Sequence, residues 1–213
     1  MVQFEIFTHN PFYENSYLLF DETGEGIIID PGMYTSSEES TVADFIDRHN
    51  IKLKAIVNTH AHIDHVFGVE WCREKYDIPF WLNDKDKVNL ESLEQKAALF
   101  GVKMEPVGAP DKHIDEGDTI RFGNTELETY FTPGHAPGHV VFVHHHQQLI
   151  IGGDVLFQGS VGRVDLPYCD PDALIESIQT KLYTLPDTYQ VLPGHGPSTT
   201  IGVEKKTNPF VKG

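Results

Sequence analysis

Short apolar runs separated by turn-forming residues characterise the first thirty residues. They lie at 2–7, 16–20 and 26–30, with Asn10-Pro11 and the polar run 21–24 between them. Apolar or alternating runs of this length are typical of strands, and turn residues between such runs favour antiparallel neighbours. The pattern therefore predicts an antiparallel meander at the start of the chain.

Helical spacing follows the meander. Residues 36–39 (Ser-Ser-Glu-Glu) form a capping-box pattern, and Val42, Phe45 and Ile46 after it share one helical face. The polar stretch 83–100 is predicted to be an exposed helix, and its charged run 84–87 to be the first turn of that helix, with no functional role. Between these two helices the pattern predicts a strand at 53–58, a helix at about 65–76 and a strand at 78–82.

The second half returns to short strands, predicted at 119–122, 125–131, 140–144, 149–152 and 190–192. A helix begins near Pro171, and Leu174, Ile178 and Leu182 share its apolar face. No repeat or linker divides the chain. We therefore predict a single domain over residues 1–213, of the α+β class, with two packed sheets and outer helices.

Composition excludes several classes of function. The chain carries 32 acidic and 16 basic residues, a formal net charge of −16, which argues against nucleic-acid or anionic-membrane partners. It has no basic-apolar leader and no apolar run long enough to span a bilayer, so we expect a cytoplasmic protein. Its two cysteines, Cys72 and Cys169, are too few for a disulfide framework or a cysteine-based zinc site.

Histidine is the unusual residue, with twelve copies. Four potential metal ligands lie within six positions, directly after the predicted strand 53–58: His60, His62, Asp64 and His65. Alternate residues of an extended segment point to the same side, so the first three can converge, and His65 can join them where the chain turns into a helix. The cluster predicts a metal site.

Three more candidate ligands follow other predicted strands, each beside glycine: His135 in Pro133-Gly134-His135, Asp154 in Gly152-Gly153-Asp154 and His195 in Pro193-Gly194-His195. Glycine lets the backbone turn sharply at a strand end. Imidazole and carboxylate donors without thiolate suit zinc, iron or manganese, and the weight of imidazole favours zinc.

With these motifs, from Ile29-Asp30-Pro31-Gly32 to the last Pro-Gly-His, the chain resembles the metallo-β-lactamase-fold hydrolases. Within them it resembles the short-form glyoxalase II-like (hydroxyacylglutathione hydrolase) branch. The resemblance implies an αββα sandwich of two mixed sheets with outer helices and a binuclear metal site at one sheet edge. It implies that His60, His62 and His135 bind one metal, that Asp64, His65 and His195 bind the other, and that Asp154 bridges them.

The resemblance also implies roles for three residues off the metals. Asp30 corresponds to a residue that orients a ligand histidine, as metal-bound imidazoles require, and His139 is expected near the site without binding metal. Arg163 lies where longer relatives place a basic residue that contacts glutathione. Pro197, however, stands where those relatives have a tyrosine that also contacts it.

The predicted function is binuclear metal-dependent hydrolysis of a small-molecule thioester such as S-lactoylglutathione. In this hypothesis a metal-bridging hydroxide attacks the carbonyl, and Asp64 both binds metal and orients the hydroxide. No Gly-x-Ser-x-Gly motif offers a serine nucleophile.

Two other activities use similar ligands. A lactonase-type hydrolase needs the same carbonyl chemistry, and a persulfide dioxygenase-like oxidoreductase uses one iron held by part of the set. The complete second group of ligands argues against the oxidoreductase. A cysteine ligand is usual in the antibiotic-hydrolysing relatives, and its absence here argues against that activity. A non-enzymatic zinc-binding module is a further alternative, which so many ligands disfavour.

Overall fold

The computed structural model describes residues 1–213, whose strands form two six-stranded sheets and one small hairpin. In the first sheet the strands follow chain order, β1 to β3 antiparallel and β3 to β6 parallel. These strands are β1 Gln3–His9, β2 Glu14–Phe20, β3 Glu25–Ile29, β4 Lys52–Val57, β5 Phe80–Leu82 and β6 Lys112–His113. The predicted antiparallel meander is therefore confirmed for β1 to β3.

The second sheet has the order β14-β13-β10-β9-β8-β7, and β10 and β13 are parallel within it. Its strands are β7 Thr119–Phe122, β8 Thr125–Phe131, β9 Val140–His144, β10 Leu149–Gly153, β13 Gln190–Pro193 and β14 Thr199–Thr200. The hairpin consists of β11 Leu156–Phe157 and β12 Ser160–Val161. Both large sheets are mixed, as predicted.

Seven α-helices flank the sheets: α1 Ser36–His49, α2 Ile63–Val66, α3 Val69–Tyr76, α4 Lys87–Glu91, α5 Leu93–Phe100, α6 Pro171–Ser177 and α7 Ile201–Thr207. A 3₁₀ turn at Asp84–Asp86 precedes α4, and α6 continues into a π-helical turn at Ile178–Leu182. No helix is both long enough and apolar enough to cross a bilayer.

Strand alternation explains the layers. In β2, Leu18 packs with the helices on the outer face of the first sheet, whereas Tyr17 and Leu19 pack between the sheets. In β9, Phe142 packs between the sheets and Val141 packs against the helices that cover the second sheet. Side chains two positions apart share a face, so each sheet buries both faces. The αββα sandwich is confirmed.

The predicted helix over 65–76 is wrong in its continuity. It is divided into α2 and α3, with Gly68 between them donating to the carbonyl of Pro31 at 2.8 Å. A Cβ at Gly68 would lie 2.7 Å from the end of the Met33 side chain. Close packing against the loop after β3 therefore sets the break.

The prediction of one exposed helix over 83–100 is also wrong. The segment contains a 3₁₀ turn and two short helices, and Asp86, Asn89, Leu93 and Ala97 are buried.

Helix α1 was predicted at the right place, but its capping box is formed by Thr35 and Glu38, not by a residue of the Ser36-Ser37 pair.

Phe142 provides a test of the core between the sheets, because its ring is fully buried there. We expect Phe142→Ala to lower the free energy of unfolding by about 3–5 kcal/mol, since it removes apolar contacts and leaves a cavity. Urea denaturation of the variant measures this loss. Phe210→Ala, at a ring that is 62% exposed, should change stability by less than about 0.5 kcal/mol; equal losses in the two variants would contradict the assignment.

Candidate metal centre

Three imidazoles from two separate loops converge on one point. His60 and His62 follow β4, and His135 follows β8. The Nδ1 atom of His62 lies 3.1 Å from Nε2 of His60 and 2.8 Å from Nε2 of His135. All three side chains are buried, and their donor atoms lie within 4.8 Å of one another. The structure thus brings together the first predicted ligand set.

A second set of three lies beside the first. Asp64 and His65 are in α2, and His195 follows β13. The Oδ2 atom of Asp64 lies 3.1 Å from Nε2 of His195 and 3.9 Å from Nε2 of His65. These three donor atoms also lie within 4.8 Å of one another.

Asp154 lies between the two sets. Its Oδ2 is 3.5 Å from Nε2 of His135, in the first set, and 3.5 Å from Nε2 of His195, in the second. Its Oδ1 is 3.6 Å from Nε2 of His65. A carboxylate in this position can contact two cations at once, as predicted for a bridging ligand.

The donors fit metal ions. Nitrogen ligands about 2.0–2.1 Å from a tetrahedral zinc are about 3.3 Å apart, within the 2.8–3.9 Å range of the separations described above. Nε2 of His65 and Oδ1 of Asp154 are buried without a hydrogen-bond partner in the protein. Buried polar atoms normally have a partner, so these two atoms call for a bound cation.

Four of the five histidines have the second ring nitrogen fixed by the protein. Nδ1 of His60 lies 3.0 Å from Thr59 Oγ1, and Nδ1 of His65 lies 3.1 Å from Asp30 Oδ2. The other two bind backbone carbonyls: Nδ1 of His135 lies 2.8 Å from the oxygen of Arg163, and Nδ1 of His195 lies 3.1 Å from the oxygen of Phe12. A proton held on Nδ1 leaves Nε2 free to bind metal. His62 differs: its Nδ1 faces the other donors and its buried Nε2 has no partner.

Asp30 serves two of these histidines. Its carboxylate accepts the hydrogen bond from His65 and also accepts from Oγ1 of Thr59 at 2.6 Å and from the Thr59 amide at 2.7 Å. Thr59 in turn contacts His60. The backbone of Asp30 has a φ of +50°, a conformation in which aspartate is better tolerated than most residues. The structure thus places Asp30 where it can orient His65, as the resemblance implies.

His139 lies behind the ligands. It is fully buried, and its Nε2 accepts a hydrogen bond from the backbone amide of Asp154 at 3.0 Å, while its Nδ1 lies 3.0 Å from Thr132 Oγ1. Because Nε2 accepts, the ring is neutral with its proton on Nδ1. The structure therefore places His139 beside the site and uses it to hold the backbone of Asp154.

The two ligand sets differ in charge. Burial and the neighbouring imidazoles lower the pKa values of His60 and His62 well below normal, so both are neutral. Burial also disfavours a charged His65, but the carboxylates of Asp154 and Asp64 outweigh it and raise the pKa of His65. Without metal, His65 therefore carries a proton that a cation must displace.

Glu14 is a further buried acid near the second set. Its Oε1 lies 3.8 Å from Nδ1 of His65 and has no hydrogen-bond partner, while its Oε2 accepts from Ser16. Burial raises the pKa of Glu14 well above normal, although His65 opposes this effect. Sequence reasoning missed Glu14, because a glutamate after a turn has no distinguishing pattern.

Asp86 is another residue that sequence reasoning missed, since the run 84–87 was predicted to have no role. Its buried carboxylate accepts from the amide of Ala61, between His60 and His62, and from the amide of Gly138 at 3.0 Å. It also accepts from the side chain of Asn89. Asp86 thus holds the loop with the His-x-His pair against the loop before His139.

Two glycines allow the backbone to approach the ligands. Gly153, with a φ of +47°, has no room for a Cβ, which would lie 2.6 Å from Nε2 of His139. A Cβ at Gly194 would lie 2.2 Å from Oδ1 of Asp154. These contacts give a steric reason for glycine beside Asp154 and His195, in addition to the sharp turn expected from the sequence.

One cavity of about 370 Å³ opens onto both ligand sets. Among the candidate ligands, the side chains of Asp64, Asp154 and His195 are 13%, 10% and 27% exposed, whereas His60 and His65 are fully buried. The remaining wall residues include Phe12, Lys96, Phe100, Phe157, Ser160, Arg163 and Leu166. The guanidinium of Arg163 makes a bidentate ion pair with Asp165 at 2.7 and 2.9 Å, so the predicted substrate-contacting residue lies at the cavity but already has an acidic partner.

Removal of the Asp86 carboxylate should weaken metal binding. We expect Asp86→Ala to lower metal affinity about 10- to 100-fold, because the amides of Ala61 and Gly138 lose their acceptor and the His-x-His loop loosens. Titration of the metal-free protein with Zn²⁺ against a competing chelator measures the affinity. Asp84→Ala removes an exposed carboxylate two positions away and should bind Zn²⁺ like the unmodified protein. Unchanged affinity in Asp86→Ala would show that the loop holds its shape without this carboxylate.

Comparisons with known proteins agree with this geometry. The family model for the metallo-β-lactamase superfamily matches residues 9–195. Hydroxyacylglutathione hydrolase GloC from Haemophilus influenzae is 37% identical over 209 residues, 97% of this chain and 97% of that protein.

Two solved structures share the fold over nearly the whole chain. BLEG-1, described as a B3 metallo-β-lactamase, superposes with a TM-score of 0.90 at 33% identity, covering 99% of this chain and 100% of its own. TTHA1623, solved in a di-iron-bound form, superposes with a TM-score of 0.87 at 37% identity, covering 97% of this chain and 100% of its own. The histidine and aspartate clusters, the αββα sandwich and these matches together show that the chain belongs to the metallo-β-lactamase superfamily of metal-dependent hydrolases.

Proposed function

We propose that this chain hydrolyses small-molecule thioesters with two divalent metal ions, most simply Zn²⁺. The observation that carries the proposal is the pair of ligand sets that share Asp154 and open into one cavity. Each set has three protein donors of its own, as catalytic zinc sites do, and the cavity gives water and substrate access to both sets.

The residues divide between the two ions as the resemblance implies. His60, His62 and His135 would hold one ion, and Asp64, His65 and His195 would hold the other, with Asp154 in contact with both. When bound, such a pair lowers the pKa of water and polarises a carbonyl oxygen. Nitrogen-rich ligands favour zinc, and the di-iron form of TTHA1623 makes iron the alternative to test.

Asp64 has a role in addition to metal binding in this proposal. Its side chain is 13% exposed at the cavity, and Oδ2 contacts His195. A carboxylate there can accept a hydrogen bond from the attacking water and so direct a lone pair toward the carbonyl. The phenyl rings of Phe12 and Phe157 line the same cavity and would cover the acyl group.

Water is the nucleophile that the cavity favours. Ser160 is the only serine, threonine or cysteine among the lining residues, and its Oγ makes a single hydrogen bond, to the carbonyl of Val161. A serine nucleophile requires an adjacent base that accepts its proton. No histidine is within hydrogen-bond distance of Ser160 Oγ, so covalent catalysis through Ser160 is not proposed.

Thioesters are the proposed substrates for two reasons. The chain is 37% identical to a hydroxyacylglutathione hydrolase over nearly its full length, and Arg163 offers a cation at the cavity for an anionic group such as a glutathione carboxylate. Lactones demand similar chemistry and form the second candidate. A persulfide dioxygenase-like activity needs only one iron and would not use the second ligand set.

Substitution of Asp64 tests its proposed role. We expect Asp64→Asn, with both metals bound, to lower kcat at least about 100-fold, because the amide is a poorer acceptor for the proton of the attacking water. Metal content must be measured on the same sample. Asp44→Asn changes an exposed carboxylate on α1 and should leave kcat unchanged. Full activity of a fully metal-loaded Asp64→Asn protein would disprove the role.

Metal analysis combined with a substrate panel tests the function itself. The panel holds a thioester, a lactone, a β-lactam and a persulfide, the β-lactam because of the similarity to BLEG-1. We expect about two zinc ions per chain and fastest turnover of the thioester. One iron per chain with oxygen uptake on the persulfide, or preferred turnover of the β-lactam, would overturn the proposal.

A further inference from the structure

We propose that Lys96 forms a subsite that binds a carboxylate of the substrate, and so selects anionic thioesters over neutral ones. The inference deepens the thioester hydrolysis proposed above and rests on it. Lys96 belongs to α5, in the stretch that was predicted to be an exposed helix, and it lines the same cavity as His62, Asp64 and Arg163.

The ammonium of Lys96 is held in place by a short hydrogen-bonded chain. Its Nζ donates to Oδ1 of Asn89 at 2.6 Å, and Nδ2 of Asn89 donates to Oδ1 of Asp86 at 3.0 Å. Asn89 and Asp86 are both buried, so the anchor is rigid. An ammonium has three donors, and the protein uses one of them. Two N–H groups are therefore left for a ligand at a defined position.

Lys96 has no ion-pair partner of its own. It is half-buried, yet no carboxylate lies within 4.0 Å of its Nζ, whereas the more exposed Lys54 and Lys87 have carboxylates at 3.3 and 2.7 Å. Burial lowers the pKa of Lys96, and Asp86 opposes this from beyond contact distance. A half-buried cation without a partner is costly to the fold. A charge kept at such a cost, in the wall of the active-site cavity, points to a ligand that completes the pair.

The rest of the cavity indicates the chemistry of that ligand. Apolar surface from Phe12, Phe100 and Leu166 lies among the lining residues. A neutral ligand would remove water from the ammonium without neutralising its charge, so binding is favoured for a molecule with both an apolar part and an anionic group. A single ammonium with two free donors matches a carboxylate, which accepts through either oxygen.

A purely structural role for Lys96 predicts a different outcome. If the ammonium only supported Asn89 and Asp86, its loss would loosen the His-x-His loop, lower metal content and impair all substrates alike. If it binds a carboxylate, its loss impairs only substrates with that group. Paired substrates that differ by one charge separate the two roles.

The experiment uses the metal-loaded protein and two matched pairs of thioesters. The first pair carries the charge on the acyl side, as a succinyl thioester and its methyl ester. The second carries it on the thiol side, as acetyl thioesters of 3-mercaptopropionate and 3-mercaptopropionamide. The variants are Lys96→Met, which removes the charge, Lys96→Arg, which keeps it, and Lys87→Met, which removes a nearby exposed lysine outside the cavity.

We expect the unmodified protein to prefer the charged member of at least one pair. In Lys96→Met that preference, as a ratio of kcat/KM values, should fall about 10- to 100-fold, chiefly through KM, as expected for loss of a charge-assisted hydrogen bond. Lys96→Arg should keep most of it, and Lys87→Met all of it. The pair that responds identifies the side of the thioester that carries the carboxylate. An unchanged ratio in both pairs, or an equal loss for charged and neutral members with lower metal content, would overturn the proposal.

Calorimetric binding of the corresponding thioethers, which cannot be hydrolysed, separates this inference from the proposed function. Charged thioethers that bind about 10-fold or more tightly than neutral ones only when Lys96 is present would support the subsite, even if no thioester is turned over. In that case the proposed function fails and the subsite stands. Thioester turnover with thioether binding that is indifferent to Lys96 would leave the function intact and disprove the subsite.

Discussion

Five imidazoles and two carboxylates lie close together with little access to water. The arrangement of the surrounding structure depends on holding them there. Bare imidazoles at these distances would repel one another once charged, and each would lose its hydration. Bound cations would compensate for both effects, but only if every donor already points at them. The fold meets this condition by fixing the outward nitrogen of four histidines, so that orientation is settled by the protein before any ion arrives.

The groups that fix the histidines come from all parts of the chain. Asp30 and Thr59 follow strands of the first sheet, the carbonyl of Phe12 comes from the loop between β1 and β2, and the carbonyl of Arg163 follows the β11–β12 hairpin. Asp86, from the segment between β5 and α4, accepts a hydrogen bond from the amide of Ala61 and so holds the His-x-His loop. The two sheets and their connections must therefore be assembled before the site exists, which ties metal binding to the completed sandwich.

The sequence indicated the residues that the structure brings together, because strand alternation and glycine beside a strand end are local patterns. It could not reveal the carbonyls of Phe12 and Arg163, because every residue has a carbonyl and only tertiary packing selects one. Asp86 was missed because a charged run is usually a solvated helix, and its burial depends on contacts with Ala61 and Gly138, far away in sequence. The same applies to the break at Gly68, which packing against the loop after β3 imposes on an otherwise helical pattern. Two packed sheets with outer helices were predictable from the order of the strand and helix patterns, whereas the mixed character of the sheets came from the family resemblance.

Phe12 connects the wall of the cavity to the second set of candidate metal ligands. Phe12 lines the cavity while its carbonyl accepts from Nδ1 of His195. Asn15, near the start of β2, donates to the carbonyls of Pro193 and Gly196 on either side of that histidine. Displacing the loop that carries Phe12 to accommodate a bulkier substrate would therefore also disturb His195, a proposed metal ligand. Under the proposed assignment, substrate size and retention of the ion at Asp64, His65 and His195 are coupled. A variant selected for larger substrates is then expected to release that ion more readily.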